Sequence, residues 1–210
     1  MTKITVGMLT YNRYDTLPKA IQSIRQQSLT DWELIIVNNG STDSRVAQYC
    51  QAAIKQDSRL QYYEVYPNHI PAAYQTILDH ASGQYYTQMD DDDYCEPDML
   101  DFLYQLIEAH QADIALCGSY RVIGGQARER FAFKEVMVMD KVQALNALMD
   151  RQICSTAVWS KLFRREKVIG RLSWSAHHKQ GDADTVYKWF AKADKVVAHG
   201  VPKYLSLIHI

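Results

Sequence analysis

Four aspartates stand side by side at Asp90, Asp91, Asp92 and Asp93, directly after the run Tyr85–Met89. Consecutive carboxylates repel one another, so a folded chain either leaves them in water or keeps them for a cation. On an extended segment alternate side chains share a face. That pairs Asp90 with Asp92 and turns Asp91 and Asp93 away. Two hard oxygen ligands on one face suit Mg²⁺ or Mn²⁺, with water and substrate phosphates completing the shell. The competing reading is a solvated acidic loop that caps the helix opened by Pro97. A calcium loop of the EF-hand type is excluded. Counting from Asp90, Tyr94 and Cys95 fall where that loop needs an oxygen ligand and glycine. The chain has no GxxxxGK[ST] loop, no GxGxxG after its first apolar run and no GxSxG elbow. An α/β protein without a glycine cradle neutralises phosphates by metal, so the acidic run points to a metal-bridged nucleotide.

The elements that must position this run alternate in the first half. Short apolar runs at 4–9, 33–37, 60–65, 85–89 and 113–120 read as strands. Between them, Leu17, Ile21 and Ile24 form one helical stripe, as do Val46, Tyr49, Cys50, Ala53 and Ile54. Ala73, Tyr74, Ile77 and Leu78 form another, and Met99, Leu100, Leu103, Leu106 and Ile107 a fourth. Strands separated by helices predict a mostly parallel sheet covered on both faces. Ligands in such sheets bind beyond the carboxyl ends of the strands. The loops at 10–13, 38–43 and 90–93 all leave those ends and are expected to converge on one rim. Asp43 is expected to cap the helix that follows it. The second half reads as less regular. It has a hairpin or loop at 124–129, a helix around Val142–Met149, a loop over 171–184 and a last helix carrying Val186, Trp189 and Phe190. A soft division falls near residue 120, within one shared core.

Composition narrows the classes. The 210 residues carry 23 Lys and Arg against 24 Asp and Glu, a formal charge of −1. No basic surplus argues for a nucleic-acid partner. No apolar run is long enough to span a bilayer, and the N-terminus lacks a signal-peptide core. The four cysteines show no CxxC spacing, so a reduced cytoplasm is the default expectation.

Taken in order, TYNR (10–13), VNNGSTD (37–43), ASGQYYTQMDDDDYCEP (81–97), WSKLFRR (159–165), GDADTVYKWF (181–190) and PKYLSLIHI (202–210) resemble the family 2 inverting glycosyltransferases. The resemblance implies the GT-A, Rossmann-like α/β fold: a mixed, mostly parallel sheet flanked by helices, with a smaller acceptor-side subdomain. Residues 1–120 would form the nucleotide-sugar half and 121–210 the acceptor half of one continuous domain. It implies that Thr10 and Tyr11 pack on base and ribose, with Arg13 of the same loop in the donor site. Asn39 stands where the family usually has an aspartate that hydrogen-bonds uracil. His69, with Asn68, falls in the segment that often adds a polar contact to the base. Asp90, Asp91 and Asp92 match a DxD pattern. Asp90 is then near ribose and metal, Asp92 the direct ligand of Mn²⁺ or Mg²⁺, and Asp93 a support for the loop. His209 matches a tail histidine that reaches diphosphate and metal, while Leu207 replaces a common arginine. The family's Glu-Asp pair aligns with Ala183 and Asp184, making Asp184 the expected catalytic base and Asp182 the alternative. Helix capping is the bland reading of both.

The expected function is hexosyltransferase-type transfer from a nucleotide diphosphate sugar, UDP-linked, to a hydroxyl of a glycan or lipid-linked acceptor in surface polysaccharide biosynthesis. Such work is cytoplasmic and compatible with peripheral attachment at the inner membrane. The alternatives are a non-catalytic nucleotide-sugar-binding module and a sugar nucleotidyltransferase. The latter class favours a glycine-rich basic loop where this chain has TYNR. Trp159, Trp174, His177 and His178 are candidates for an acceptor groove. The resemblance runs out at Ile210, so either the last acceptor-side helices are absent or the sequence is truncated.

Overall fold

The computed structural model describes residues 2–170, 174 and 181–207. Its centre is one open sheet in the order β3-β2-β1-β4-β9-β6-β10-β5. The strands are β1 (Ile4–Thr10), β2 (Trp32–Asn38), β3 (Leu60–Glu64), β4 (Tyr85–Gln88), β5 (Tyr94–Cys95), β6 (Ile114–Ile123), β7 (Gln126–Arg130), β8 (Met137–Asp140), β9 (Lys161–Arg164) and β10 (Lys195–Leu207). The strands β1 and β2 are buried along nearly their whole length because helices cover both faces of the sheet. One face packs on α1 (Leu17–Arg25), α2 (Ser44–Gln56) and α4 (Met99–Ala109). The other packs on α3 (Ile70–His80), α5 (Lys141–Asp150) and α6 (Gly181–Phe190).

Pairing is parallel through β3, β2, β1 and β4, and again between β6 and β10. The strand β9 lies between β4 and β6 and runs antiparallel to both, the minority orientation that the resemblance implies. Thr10 pairs with Asn38, so the loops after β1 and β2 leave the sheet at one level. The division expected near residue 120 falls inside β6, which carries one sheet through both halves.

The second half is more regular than its sequence suggests. The predicted hairpin forms, with Gly124 and Gly125 both at positive φ in the β6–β7 turn. Three further strands, β8, β9 and the 13-residue β10, do not show in the sequence pattern. Gly200 and Pro202 inside β10 are residues that ordinarily break a strand. They are accommodated by register shifts between His199 and Tyr204 against β6. The irregularity also explains Gly118. A Cβ placed there would lie 2.2 Å from the Gly200 carbonyl oxygen. Because the clash is with backbone, Gly118→Ala is expected to cost about 1–3 kcal/mol as overpacking. The check is a lowered urea midpoint at unchanged slope.

Candidate active site at the carboxyl edge of the sheet

The loops after β1, β2, β3 and β4 converge. Asn12, in the left-handed region at φ 55°, clasps the second loop. Its Oδ1 accepts from the Thr42 and Asp43 amides at 2.8 and 3.0 Å, and its own amide donates to Ser41 Oγ at 2.9 Å. The Asn39 amide donates to the Thr10 carbonyl at 2.9 Å. Asp43 caps α2 as expected, accepting from the Arg45 amide. Tyr11 stays 42% exposed beside this clasp and Tyr66 is 62% exposed on the third loop. Two uncovered rings at the rim can stack on a flat ligand.

Asn39 is placed differently from the expectation that its side chain meets a base edge. It is 1% exposed. Its Nδ2 donates to Asn68 Oδ1 at 2.8 Å, and its Oδ1 accepts from the His69 amide at 2.7 Å. His69 in turn caps α3, its Nδ1 accepting from the Ala72 amide at 3.1 Å.

The acidic run is a turn rather than an extended segment, yet it keeps the expected pairing of Asp90 with Asp92 against Asp91 and Asp93. The Asp93 amide donates to the Asp90 carbonyl at 3.3 Å across Asp91 and Asp92. Asp91 and Asp93 are buried, while Asp90 and Asp92 are partly exposed. Asp93 supports the loop. It accepts from the Tyr204 hydroxyl at 2.8 Å and from the Leu207 amide at 2.7 Å, and Tyr204 Oη accepts from the Asp90 amide at 3.1 Å. Arg13 reaches this turn, with Nη2 at 3.4 Å from Asp92 Oδ2. Burial drives Asp90 well above the ordinary carboxylate range, and the negative charges of Asp93, Asp182, Asp92 and Asp91 add to it. Burial pushes Asp91 and Asp93 to about 6 each. For Asp91 the rise is opposed by the Thr10 hydroxyl, the Arg13 charge and the Tyr11 amide. Its Oδ2 and the Thr10 hydroxyl are nevertheless buried without a well-formed hydrogen bond.

Each of these features is a local deficit of positive charge, which fits a divalent cation. Among the described residues no three His, Cys, Asp or Glu side chains converge as a full metal cage. The donors here are hard oxygens that fill only part of a shell. Mg²⁺ and Mn²⁺ suit that arrangement, because they keep water and phosphate ligands.

Asp182 and Asp184 both lie inside the first turn of α6, which begins at Gly181. Burial raises Asp182, opposed by Lys161. The charge of Asp182 is felt by Asp90, Tyr74 and Tyr86. Lys161 is a site feature that sequence reasoning missed, although it stands in WSKLFRR. It is fully buried, and its ammonium donates to the Ala157 carbonyl at 2.7 Å. Tyr204 was missed likewise. Only its place two residues after Pro202 in the tail motif could have flagged it.

Trp159 and Trp174 are core residues rather than groove walls, at 8% and 5% exposure. Trp159 stacks on Tyr204 with centroids 4.7 Å apart, and Trp174 stacks on Tyr74 at 4.0 Å. His177, His178 and His209 lie outside the described residues.

The buried carboxylates set a pH dependence. A carboxyl raised in the fold binds more protons there than in the unfolded chain. Stability therefore falls as pH rises from the unfolded value near 4 through the folded value of about 6. With a chelator present, the melting temperature should drop across that window, and Asp91→Asn should flatten the drop and raise the melting temperature at pH 7.

The profile of the family described as glycosyl transferase family 2 matches residues 5–170. Glycosyltransferase GlyA of Streptococcus pneumoniae is 32% identical over 172 residues, covering 77% of this chain and 24% of GlyA. The fold superposes on S. aureus TarS 1–349 in complex with UDP-GlcNAc at a TM-score of 0.82. That match is 17% identical and covers 99% of this chain and 59% of that one. It superposes also on the mannosyltransferase PcManGT from Pyrobaculum calidifontis in complex with GDP-Man and Mn²⁺, at 0.68 and 16% identity, covering 98% and 56%. The chain thus spans about a quarter of GlyA and under two thirds of the two solved chains. With its mixed sheet and convergent loops, the chain belongs to glycosyl transferase family 2.

Proposed function

We propose that the protein transfers one sugar from a UDP-sugar to a hydroxyl of a glycan or lipid-linked acceptor, with inversion, in surface polysaccharide biosynthesis. The observation that carries the reading is a pair of carboxylate sites in electrostatic contact from different elements. Asp90 to Asp92 sit on the turn after β4, and the charge of Asp182, in the first turn of α6, reaches Asp90. UDP is favoured because a structural neighbour binds UDP-GlcNAc in the same fold.

Asp92 and Asp90 would hold the divalent ion. When bound, that ion offsets the charge growing on the departing diphosphate. Thr10, Tyr11 and Arg13 line the donor side, with the exposed Tyr11 ring available to the base. Arg13, already beside Asp92, can turn its guanidinium to pair with a phosphate oxygen. Asp182 then takes the proton of the acceptor hydroxyl as its oxygen attacks the anomeric carbon. The carbon–oxygen bond to the diphosphate breaks on the opposite side, and no enzyme nucleophile intervenes. Asp182 is preferred over Asp184, the residue the resemblance implies, because its charge reaches Asp90. Burial raises its affinity for that proton, while Lys161 keeps the carboxylate from being neutralised outright.

Two experiments test this. Asp182→Asn should lower sugar transfer by about 10²–10⁴, the usual worth of a general base, while the melting shift produced by UDP stays. Asp184→Asn should transfer normally. Loss confined to Asp184→Asn would return the base to that residue, and normal transfer by both variants would remove the mechanism. Separately, UDP with Mn²⁺ at a hundredfold above its dissociation constant should stabilise the fold by about 2.7 kcal/mol. EDTA should abolish that shift and Asp92→Asn should reduce it. An undiminished shift in Asp92→Asn would exclude Asp92 as a ligand.

A further inference from the structure

The hairpin of β6 and β7 gathers arginines. Arg121 stands directly opposite Arg128 in the ladder, and Arg130 opposite Ser119. Opposed side chains share a face about 5 Å apart, and residues two apart along a strand share a face as well. Arg121, Arg128 and Arg130 therefore project from one face of the hairpin, while Glu129 alternates to the other. Arg151 joins them from the end of α5. It sits in the left-handed region at φ 55°, where glycine is the usual residue. Burial and the charges of Arg121 and Arg151 lower the proton affinity of Arg130. Arg121, Arg128 and Arg151 are exposed. Among the described residues none of the four guanidinium groups pairs with a carboxylate. Like charges directly opposite one another destabilise a ladder. An anion from outside the chain would offset that repulsion.

The hairpin adjoins the candidate active site. Arg121 pairs with Ser206 and Val122 with Leu207, whose amide donates to Asp93. A cavity of about 360 Å³ is lined by Asp92 and Asp93 from the acidic turn and by Gly124 and Gly125 from the hairpin. A ligand held by the arginines thus reaches the acidic turn across the single strand β10.

We propose that Arg121, Arg128, Arg130 and Arg151 form a binding site for a phosphate group of the acceptor, so that the acceptor is a phosphate-bearing molecule rather than a neutral glycan. The acceptor role rests on the donor-site reading above; the anion site does not. The planar fork of arginine meets two phosphate oxygens at once. Attraction to an anionic membrane makes no such demand and is served equally by lysine. The strands β6 and β7 carry three arginines and no lysine. The donor's own diphosphate is left to the metal at the acidic turn, so donor and acceptor phosphate bind together.

The test titrates inorganic phosphate by calorimetry at fixed ionic strength. In EDTA and without nucleotide the metal-dependent donor site is silent, and wild type should still bind phosphate saturably. Arg121→Gln with Arg128→Gln should weaken that binding about 10–100-fold, the worth of a hydrogen bond to a charged group. Arg121→Lys with Arg128→Lys keeps the charge, loses the fork and should weaken it too. UDP with Mg²⁺ should bind wild type and the double glutamine variant alike, and phosphate should not compete with it. Absence of saturation in wild type, or equal affinity in the double glutamine variant, overturns the site. Equal affinity in the double lysine variant overturns recognition by the fork. Sedimentation of wild type with phosphatidylcholine and phosphatidylglycerol vesicles, about 4:1, that phosphate does not reverse gives the patch to a membrane surface instead. Competition between phosphate and UDP, or weaker UDP binding in the double glutamine variant, gives the arginines to the donor diphosphate and overturns the acceptor role. If UDP fails to bind wild type, the donor-site reading fails, while the titration in EDTA still decides the anion site.

Discussion

Four adjacent carboxylates cannot be folded into a tight, half-buried turn unless something outside the turn holds them. Here that support comes from β10. The Tyr204 hydroxyl donates to Asp93 while accepting from the Asp90 amide, and the Leu207 amide donates to the other Asp93 oxygen. Both ends of the turn are thus tied to a strand more than a hundred residues away in sequence. Tyr204 is itself fully buried and stacked on Trp159. The geometry of the acidic site therefore rests on the packing of the second half of the chain. Deleting a contact in that half would move the carboxylates without touching them.

The same dependence explains why β10 tolerates its irregularity. Its first residues must pair with β8 and β6 at the far end of the sheet, and its last must reach β5 and the acidic turn. A regular strand through Gly200 and Pro202 would fix one register for both ends. The shifts around those residues let Tyr204 pair with Cys95 on one side and Ser119 on the other, placing its hydroxyl under Asp90 and Asp93. The close contact of Gly118 with Gly200 follows from this arrangement.

The elements of the first half were legible because their signal is local. Apolar runs such as Ile4–Leu9 and stripes such as Met99–Ile107 state their partners' positions through periodicity. The loops TYNR, VNNGSTD and DDDD were legible as a rim because alternating strands and helices put them at one end. What the sequence hid was set by distant partners. Extended geometry was assumed for Asp90–Asp93, whereas Tyr204 and Leu207 make it a turn. The side chain of Asn39 is held by Asn68 and His69, 29 and 30 residues away in sequence, contacts that no local pattern states. The strand β10 was concealed by its own glycine and proline. Asp182 and Asp184 stay indistinct in the sequence, since both are acidic and both lie in the same helical turn.

The charge of Asp182 is supported through β9. Its antiparallel path between β4 and β6 draws WSKLFRR through the centre of the sheet, where Lys161 is fully enclosed. Burying an ammonium is costly unless it is hydrogen-bonded and faces opposite charge. The carbonyls of Ala157 and Trp159 supply the first requirement, at 2.7 and 3.4 Å. Asp182 is among the negative groups that support its charge, and burial still lowers its proton affinity. The two residues are therefore mutually dependent. The lysine holds Asp182 ionisable in a site already crowded by Asp90, and Asp182 offsets part of the cost of the lysine. The first turn of α6 adds the positive end of its helix dipole to the same carboxylate. Asp182 can thus stay charged near other carboxylates because β9, antiparallel to both its neighbours, delivers a buried cation whose charge reaches it.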